Sequence, residues 1–305
     1  MDYKHFKVKR ATPRIGAYIS EVNFNEVENK EVYKDLRKAV NEFGVVFVRK
    51  QPLTPEAFVR LGREFGNLES SHPVFGSPAE HPEIQLVTYD PAKPIPADTA
   101  TWHTDNTYNA LPSAYTFLRA VDIPPSGGDT LWASNAAIYE DLPEPMQEML
   151  SRFVARHDLF WRLREMNYMA SKSTSEAEQK LSKRVADHPI VIRHPVTGRA
   201  QVFAHRHFTT FVHGVPEEVS TALLQFLFGM AKRPDYQVRL TWEPDLLTIW
   251  DNVATQHYAT HDYHPYPRAM MRMVAASNSR PQPLDSTKLY PSSAAEIVAA
   301  GVLEG

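Results

Sequence analysis

The chain has 305 residues, of which 43% are hydrophobic and 23% are charged, and its formal net charge at pH 7 is −3. This is the composition of an ordinary globular protein, and the weak charge gives no reason to expect nucleic acid or a membrane as a partner. The lack of cysteine excludes disulfides, thiolate nucleophiles, Cys-ligated zinc and iron–sulfur clusters. Because we find neither a signal-peptide core nor an apolar run of ~20 residues, we expect a cytoplasmic protein.

The first hundred residues predict short strands, two amphipathic helices and a loop. Strands are predicted at 6–10, 16–20 and 45–48, and helices at 32–43 and 55–65. Gly44 ends the first helix, while Thr54 and Pro55 begin the second as N-cap and first helical residue. Repeated prolines then interrupt residues 72–100, except for a strand at 84–88, and we expect an active-site loop there.

The remaining residues predict a mainly β fold. Strands are predicted at 114–121, 129–132, 189–193, 201–205, 238–242, 246–250 and 270–275, and helices at 135–139, capped by Asn135, 145–153 and 216–232. The last helix is expected to bury Val219, Leu223, Phe226, Leu227 and Met230. Residues 157–187 are charged and are expected to cross the surface, and 281–305 form a tail. We predict a single domain over 1–305, a sandwich or barrel of strands with flanking helices.

Trp102-His103-Thr104-Asp105 is the stretch with the clearest chemistry. In a strand, alternate side chains point to the same face, so His103 and Asp105 would lie side by side. They are two of the three ligands of a 2-His-1-carboxylate iron site, although a His-x-Asp pair alone is more often a hydrogen-bonded pair. His257 follows Asp105 by 152 residues (257 − 105), and a closed β fold could bring them together.

Two arginines on the last predicted strand suggest an anion site. Arg268 and Arg272 are four residues apart, so in a strand both face one side together with Met270. Inward guanidinium groups are costly to bury unless each meets an anion, and a carboxylate that accepts two hydrogen bonds is the natural partner.

These motifs occur in an order that resembles the taurine/2-oxoglutarate dioxygenase family of Fe(II)-dependent oxygenases. The matching stretches are WHTD at 102–105, GGDTLW at 127–132, WDNVATQHYA at 250–259, and the two arginines, Arg268 and Arg272. The resemblance extends over about residues 15–276. It implies a double-stranded β-helix, or jelly roll, with helices that buttress one face.

The resemblance also implies a cofactor, two co-substrates and their binding residues. His103, Asp105 and His257 match the ligands of Fe(II), and Arg268 and Thr130 match residues that bind the co-substrate 2-oxoglutarate. The implied reaction consumes O2, converts 2-oxoglutarate to succinate and CO2, and hydroxylates an unactivated carbon of the substrate.

The expected substrate is small and anionic. In taurine-specific relatives a histidine and the second arginine hold the sulfonate, and His72 and Arg272 match them. Polar contacts to taurine's amine are reduced, because Phe75 and Thr99 replace Tyr and Asn, although Asp98 remains. The other expected lining residues are Asn106, Tyr108 and Phe208. We therefore expect an alkyl sulfonate such as taurine, an alkyl sulfate or an aryloxyalkanoate, and leave a homo-oligomeric state open.

Other functions remain compatible with the residues alone. One is a jelly-roll metal hydrolase or isomerase, another a non-enzymatic binding module, and a third the same oxygenase chemistry on a natural product or amino-acid-like substrate. We interpret Asp251 and Asn252 as turn residues and expect His261 and His264 to be exposed. Four other histidines are interpreted as structural or as pocket lining rather than metal ligands: His188, His194, His205 and His207.

Overall fold

The computed structural model of the protein describes residues 3–70, 76–92, 100–165 and 184–289. The strands are β1 (Lys7–Arg10), β2 (Ala17–Ser20), β3 (Val45–Val48), β4 (Gln85–Tyr89), β5 (Ser113–Asp122), β6 (Thr130–Ser134), β7 (Val154–Asp158), β8 (Val185–Pro189), β9 (Val191–Arg193), β10 (Ala200–Val202), β11 (Thr209–Val212), β12 (Gln237–Leu240), β13 (Leu247–Asp251), β14 (Thr255–Ala259), β15 (Arg268–Ala276) and β16 (Gln282–Pro283). The helices are α1 (Lys30–Phe43), α2 (Pro55–Arg63), α3 (Asn135–Glu140), α4 (Glu144–Leu150), α5 (Leu159–Glu165) and α6 (Glu217–Met230). Within those described ranges, we find no helix with the length and hydropathy of a membrane span.

The chain divides into two compact units, of which the first contains residues 1–100, 113–133 and 237–277. Its main sheet has seven strands in the order β1-β2-β3-β13-β5-β15-β4, antiparallel except for the parallel pair β2 and β3. A second sheet, in the order β12-β6-β14, belongs to the same unit. The predicted strands of this unit are confirmed, whereas β14 was not predicted.

The predicted end of α1 at Gly44 and the predicted start of α2 at Thr54 and Pro55 are confirmed, whereas α1 begins two residues earlier than predicted and α2 ends two residues earlier. Asn29 caps α1 by accepting a hydrogen bond from Glu31 N, and Gly44 ends it with φ at 75°. Thr54 accepts from Ala57 N at the start of α2. Both helices bury their apolar faces in one core with the main sheet. A second core contains the aromatic side chains Trp132, Trp242 and Trp250, together with Met270 of β15.

The second unit contains residues 101–112, 134–236 and 278–305. It has two sheets of three strands, in the orders β11-β7-β8 and β10-β9-β16, so the predicted hairpin of β9 and β10 is confirmed. The first residue of the predicted helix at 135–139 is not its cap. The Ser134 side chain accepts from Ala137 N instead, because Ser134 is the residue with extended backbone before α3.

Helix α6 buries Leu227 and Met230, as predicted, but the rest of its buried face differs from the prediction. Ser220 and Leu224 are buried, whereas Val219 and Phe226 are 45% and 42% exposed. The helix carries apolar side chains on most of its circumference, so an apolar stripe can be drawn on either side.

The expected surface excursion at 157–187 is also wrong at both of its ends. His157 lies on β7 and Asp187 on β8, and both side chains are buried. Residues 166–183, in its middle, lie outside the described residues, as do 72–75 and 93–99 of the expected loop and 290–305 of the expected tail. The single domain over 1–305 stays a prediction.

Candidate metal centre and co-substrate site

His103 has the tautomer that a metal ligand needs. Its Nδ1 lies 2.8 Å from the carbonyl oxygen of Thr101. Because a carbonyl only accepts, the proton must be on Nδ1, and Nε2 keeps its lone pair. That Nε2 lies 3.7 Å from Asp105 Oδ1, so the two potential ligand atoms point to the same place.

The backbone that brings His103 and Asp105 together is not the predicted strand. His103 is a single bridging residue, and a turn begins at Asp105. The next residue, Asn106, has a positive φ of 57°, a left-handed conformation that asparagine tolerates better than most residues. The expected proximity is therefore present, but a turn after one extended residue produces it.

His257 lies on β14 and is 8% exposed, with its ring 5.0 Å from that of Trp250. The turn before β14 is held by Asp251, whose Oδ1 accepts from the backbone N–H groups of Val253 and Ala254. Asn252 Nδ2 donates to the carbonyl of Ser113. The interpretation of Asp251 and Asn252 as turn residues is confirmed.

The ligand atoms that His103, Asp105 and His257 offer all lie within 4.8 Å of one another. Among the described residues, no other group of three or more potential ligands is this close. Two imidazoles and one carboxylate are the donor set that holds non-haem Fe(II) and leaves positions open. The orientation of His103 and the burial of the other two side chains fit such an ion.

Arg268 is a buried cation in the first unit. Its Nη2 lies 3.5 Å from the carbonyl of Gly128, and no described side chain forms an ion pair with it. Its Nε is buried without a hydrogen-bond partner among the described residues. Burial lowers the pKa of the Arg268 guanidinium, which shows the cost of holding this charge away from water. A carboxylate ligand would supply the missing partner.

Two aromatic rings and a glycine lie around the guanidinium of Arg268. The rings of Trp242 and Tyr263 lie 5.9 and 5.7 Å from the guanidinium carbon. A Cβ on Gly128 would lie 3.4 Å from Arg268 Nε and 3.2 Å from the Tyr263 ring, so a larger residue there would crowd the guanidinium. The arrangement fits the distal carboxylate of 2-oxoglutarate.

Thr130 begins β6 in the same unit and is buried. Its Oγ1 accepts a hydrogen bond of 3.0 Å from Trp242 Nε1, which leaves the hydroxyl proton of Thr130 to be donated elsewhere. The neighbouring Asp129 is a structural residue, because its carboxylate pairs with Arg239 at 2.6 Å. The expectation that Thr130 and Arg268 serve one co-substrate stays a prediction.

His261 and His264 lie in the loop before Arg268. His264 is exposed, as expected, and its Nδ1 lies 3.0 Å from Tyr89 Oη. His261 was expected to be exposed but is only partly so, because its ring packs at 6.3 Å from that of Tyr263. Burial, and then the charge of Arg268, lower its pKa.

Arg272 and Arg268 share the buried face of β15 with Met270, as predicted. Arg272 Nη1 donates to Gln85 Oε1 of β4, the residue directly opposite it in the sheet. Gln85 was not identified from the sequence. A polar residue within a predicted strand was the available signal, but its partner lies 187 residues away.

Three of the expected substrate-lining residues meet in the second unit. Tyr108 Oη donates to Asn106 Oδ1 at 2.8 Å, and the Tyr108 ring packs edge-on against Phe208 at 4.9 Å. Leu159 completes this small apolar cluster. His207, which was interpreted as structural or pocket lining rather than as a metal ligand, has its ring 4.9 Å from that of His103. The other expected lining residues, His72, Phe75, Asp98 and Thr99, lie outside the described residues.

Comparisons with known proteins agree with this geometry. The model of the family described as "Taurine catabolism dioxygenase TauD, TfdA family" matches residues 7–274. A Pseudomonas putida alpha-ketoglutarate-dependent sulfate ester dioxygenase is 31% identical, with 86% of this chain and 87% of that protein covered. A Saccharomyces cerevisiae alpha-ketoglutarate-dependent sulfonate dioxygenase is 30% identical, with 94% and 71% covered. The crystal structure of a taurine dioxygenase from Burkholderia xenovorans superposes with a TM-score of 0.77 at 29% identity, covering 92% and 94%.

Fold and donor set together define a jelly-roll oxygenase that uses Fe(II), 2-oxoglutarate and O2. The chain belongs to the TauD/TfdA family of dioxygenases. The predicted fold class, cofactor and co-substrates are therefore confirmed, and the hydrolase, isomerase and non-enzymatic alternatives are set aside.

Proposed function

We propose that this dioxygenase hydroxylates a small anionic substrate, such as an alkyl sulfonate, an alkyl sulfate or an aryloxyalkanoate. The observation that carries the proposal is the pair of buried arginines on one face of β15. Four residues of a strand separate them by roughly 13 Å. One guanidinium serves the co-substrate, and the second, Arg272, serves the anionic group of the substrate.

The residues take the following roles in this proposal. His103, Asp105 and His257 hold the iron, which when bound couples the oxidative decarboxylation of 2-oxoglutarate by O2 to hydroxylation of the substrate. Arg268 binds the distal carboxylate of 2-oxoglutarate, and the Thr130 hydroxyl donates a hydrogen bond to the same co-substrate. Trp242 and Tyr263 exclude water from the guanidinium, which strengthens its attraction for that carboxylate.

The choice among anionic substrates follows from the residues expected to lie near the amine of taurine. Phe75 and Thr99 replace the Tyr and Asn that contact the amine in taurine-specific relatives, although Asp98 remains. A site that loses such hydrogen bonds no longer favours an ammonium strongly. We therefore keep taurine as one candidate and rank the broader class of alkyl sulfonates, alkyl sulfates and aryloxyalkanoates above it. The similarity to a sulfate ester dioxygenase and to a sulfonate dioxygenase supports this ranking.

Succinate release tests the proposal directly. The substrates are taurine, an alkyl sulfonate, an alkyl sulfate, an aryloxyacetate and an uncharged alcohol, matched in length. We expect turnover of at least one anion and none of the alcohol. Arg272→Ala should raise the KM of every anionic substrate, whereas Arg49→Ala, at an exposed arginine of the same unit, should not. Turnover of the alcohol that is insensitive to Arg272→Ala would refute the anion site.

Three further expectations stay predictions: a cytoplasmic location, a homo-oligomeric state, and the lack of nucleic acid and membrane partners.

A further inference from the structure

A buried threonine follows the candidate metal ligand Asp105 by two residues. Thr107 is fully buried, and three histidines surround it. Its Oγ1 lies 2.8 Å from His157 Nδ1 and 2.9 Å from His205 Nε2. Its carbonyl oxygen accepts a hydrogen bond of 2.7 Å from His188 Nε2. Every polar atom of this residue except its backbone nitrogen therefore has an imidazole partner.

The three histidines reach Thr107 from distant parts of the second unit. His157 lies on β7, His188 on β8, and His205 follows β10, at separations of 50, 81 and 98 residues from Thr107. Their side chains are almost completely buried, and the rings of His188 and His205 lie 5.1 and 5.3 Å from that of His157. Thr107 thus attaches the turn to β7, to β8 and to the segment after β10.

The hydrogen-bonding capacities of these groups match. A carbonyl only accepts, so His188 carries its proton on Nε2. A threonine hydroxyl has one donor and two acceptor positions, so it can serve both His157 and His205. Burial lowers the pKa of His157 well below its ordinary value and that of His188 to about 4, which keeps these two rings neutral at physiological pH.

The turn that Thr107 belongs to needs this support. Asn106 has a left-handed φ of 57°, and its side chain accepts a hydrogen bond from Tyr108 Oη. A non-glycine residue in this conformation costs on the order of 1 kcal/mol and persists where the surroundings determine it. The imidazoles on Thr107 and the Tyr108 hydroxyl on Asn106 fix the two residues that follow Asp105.

We propose that Thr107 is the positioning residue of the metal centre, and that its three imidazole partners hold the Asp105 carboxylate beside His103 Nε2 before the metal binds. The inference rests on the proposed role of Asp105 as an iron ligand. Groups that orient a metal ligand typically change metal affinity by about 10–100-fold when removed. Thr107 therefore acts through Asp105 and touches neither metal nor substrate.

The test compares Thr107→Val with Thr107→Ser in the full chain. Valine keeps the shape of threonine and removes the hydroxyl, whereas serine keeps the hydroxyl. The probe is Mn(II), measured by electron paramagnetic resonance without co-substrate. We expect Thr107→Val to weaken Mn(II) binding roughly 10–100-fold and Thr107→Ser to bind within about threefold of wild type. Wild-type affinity in Thr107→Val, or equal weakening in both variants, would overturn the proposal.

Thr248→Val is the matched control for burial and folding. Thr248 is fully buried, and its hydroxyl has no hydrogen-bond partner among the described residues, so its loss should leave Mn(II) affinity unchanged. If Thr107→Val does not fold, His188→Gln and His188→Leu replace it. Glutamine can still donate to the Thr107 carbonyl, so we expect it to retain Mn(II) affinity that leucine loses. Equal affinity in the two variants would overturn the proposal.

The same measurement separates this inference from the assignment of the metal centre. Wild-type chain that binds one Mn(II), together with loss of binding in His103→Ala, supports the assignment whatever Thr107 does. If wild type binds no Mn(II), or His103→Ala binds it normally, the assignment itself fails. Normal binding in Thr107→Val with loss in His103→Ala refutes only the positioning role.

Discussion

Arg272 and Gln85 lie directly opposite each other on antiparallel strands, and the buried amide oxygen of Gln85 accepts a hydrogen bond from the Arg272 guanidinium. An amide orients the guanidinium without cancelling its charge. A carboxylate in the same position would form a charge-assisted pair with Arg272 and compete with a substrate anion. The residue opposite Arg272 therefore sets how much of its positive charge a ligand experiences.

Gln85→Glu should weaken binding of the anionic substrate. We expect the substrate KM to rise at least about tenfold, equivalent to ~1.4 kcal/mol, with the KM for 2-oxoglutarate nearly unchanged. Gln85→Leu removes the hydrogen bond without adding a charge, so its effect should be smaller. Steady-state succinate release measures both constants. A larger effect of leucine than of glutamate would show that orientation matters more than charge.

His103→Ala should abolish iron binding and turnover, because two remaining ligands hold Fe(II) poorly. We expect wild type to bind one Fe(II) per chain under anaerobic conditions, measured by titration calorimetry. His264→Ala removes an exposed histidine of the first unit and should leave both properties intact. Iron affinity and activity equal to wild type in His103→Ala would show that the ligand assignment is wrong.

Arg268→Ala should raise the requirement for 2-oxoglutarate far more than that for iron. Breaking a buried charge pair on one side costs ~3–5 kcal/mol, a factor of roughly 10² or more in affinity. The affinity of Arg268→Lys for 2-oxoglutarate should lie between those of wild type and Arg268→Ala, because lysine keeps the charge but cannot donate two parallel hydrogen bonds. The measurement is the Kd of 2-oxoglutarate in the presence of Mn(II). Equal losses of metal and co-substrate affinity would indicate misfolding instead.

The buried histidines should make the fold sensitive to acid. Burial lowers the pKa of His157 well below its ordinary value, and it lowers the pKa of His188 from 6.5 to about 4. A lowered pKa in the folded state means that the unfolded chain binds more protons between these values. Stability should therefore be complete above about pH 6.5 and fall as the pH decreases toward 4, by ~3 kcal/mol from His188 alone.

Thermal melting from pH 7.5 to 4.5 measures this effect, and His188→Gln should reduce the slope. The carboxylate of Asp187 does not contribute in this range. Its burial would raise its pKa, but hydrogen bonds from His213 and Arg156 lower that pKa to about 2. Its contribution is lost only below its ordinary value of 3.8. A constant melting temperature down to pH 4.5 would contradict the assignment of neutral histidines.

Most of the first unit could be predicted because its signals are local. Thr54 and Pro55 start α2, and Gly44 ends α1, through interactions within a few residues. The ligand motif around His103 was also recognisable, since its residues are close in sequence. The left-handed Asn106 turn that brings Asp105 to His103 could not be predicted, because partners about 50–100 residues away support it.

The histidines of the second unit show most clearly what could not be predicted from the sequence. His157 stands beside charged residues, so it was expected at the surface, yet it is fully buried against Thr107. An imidazole is compatible with water and with a neutral core, and only the partner decides between them. The opposite error occurs in α6, where Phe226 is apolar but exposed.

The central position of β5 in the main sheet has a consequence for how the protein is made. β5 pairs with β13 on one side and with β15 on the other, and both are more than 120 residues further along the chain. During synthesis this strand emerges long before either neighbour exists, so one edge stays open until β13 has been made and the other until β15 has been made. Because β15 also carries Arg268 and Arg272, the same strand completes the sheet and supplies both proposed anion sites. A nascent chain that stops short of β15 would lack both arginines and would leave one edge of β5 open to pairing with another chain.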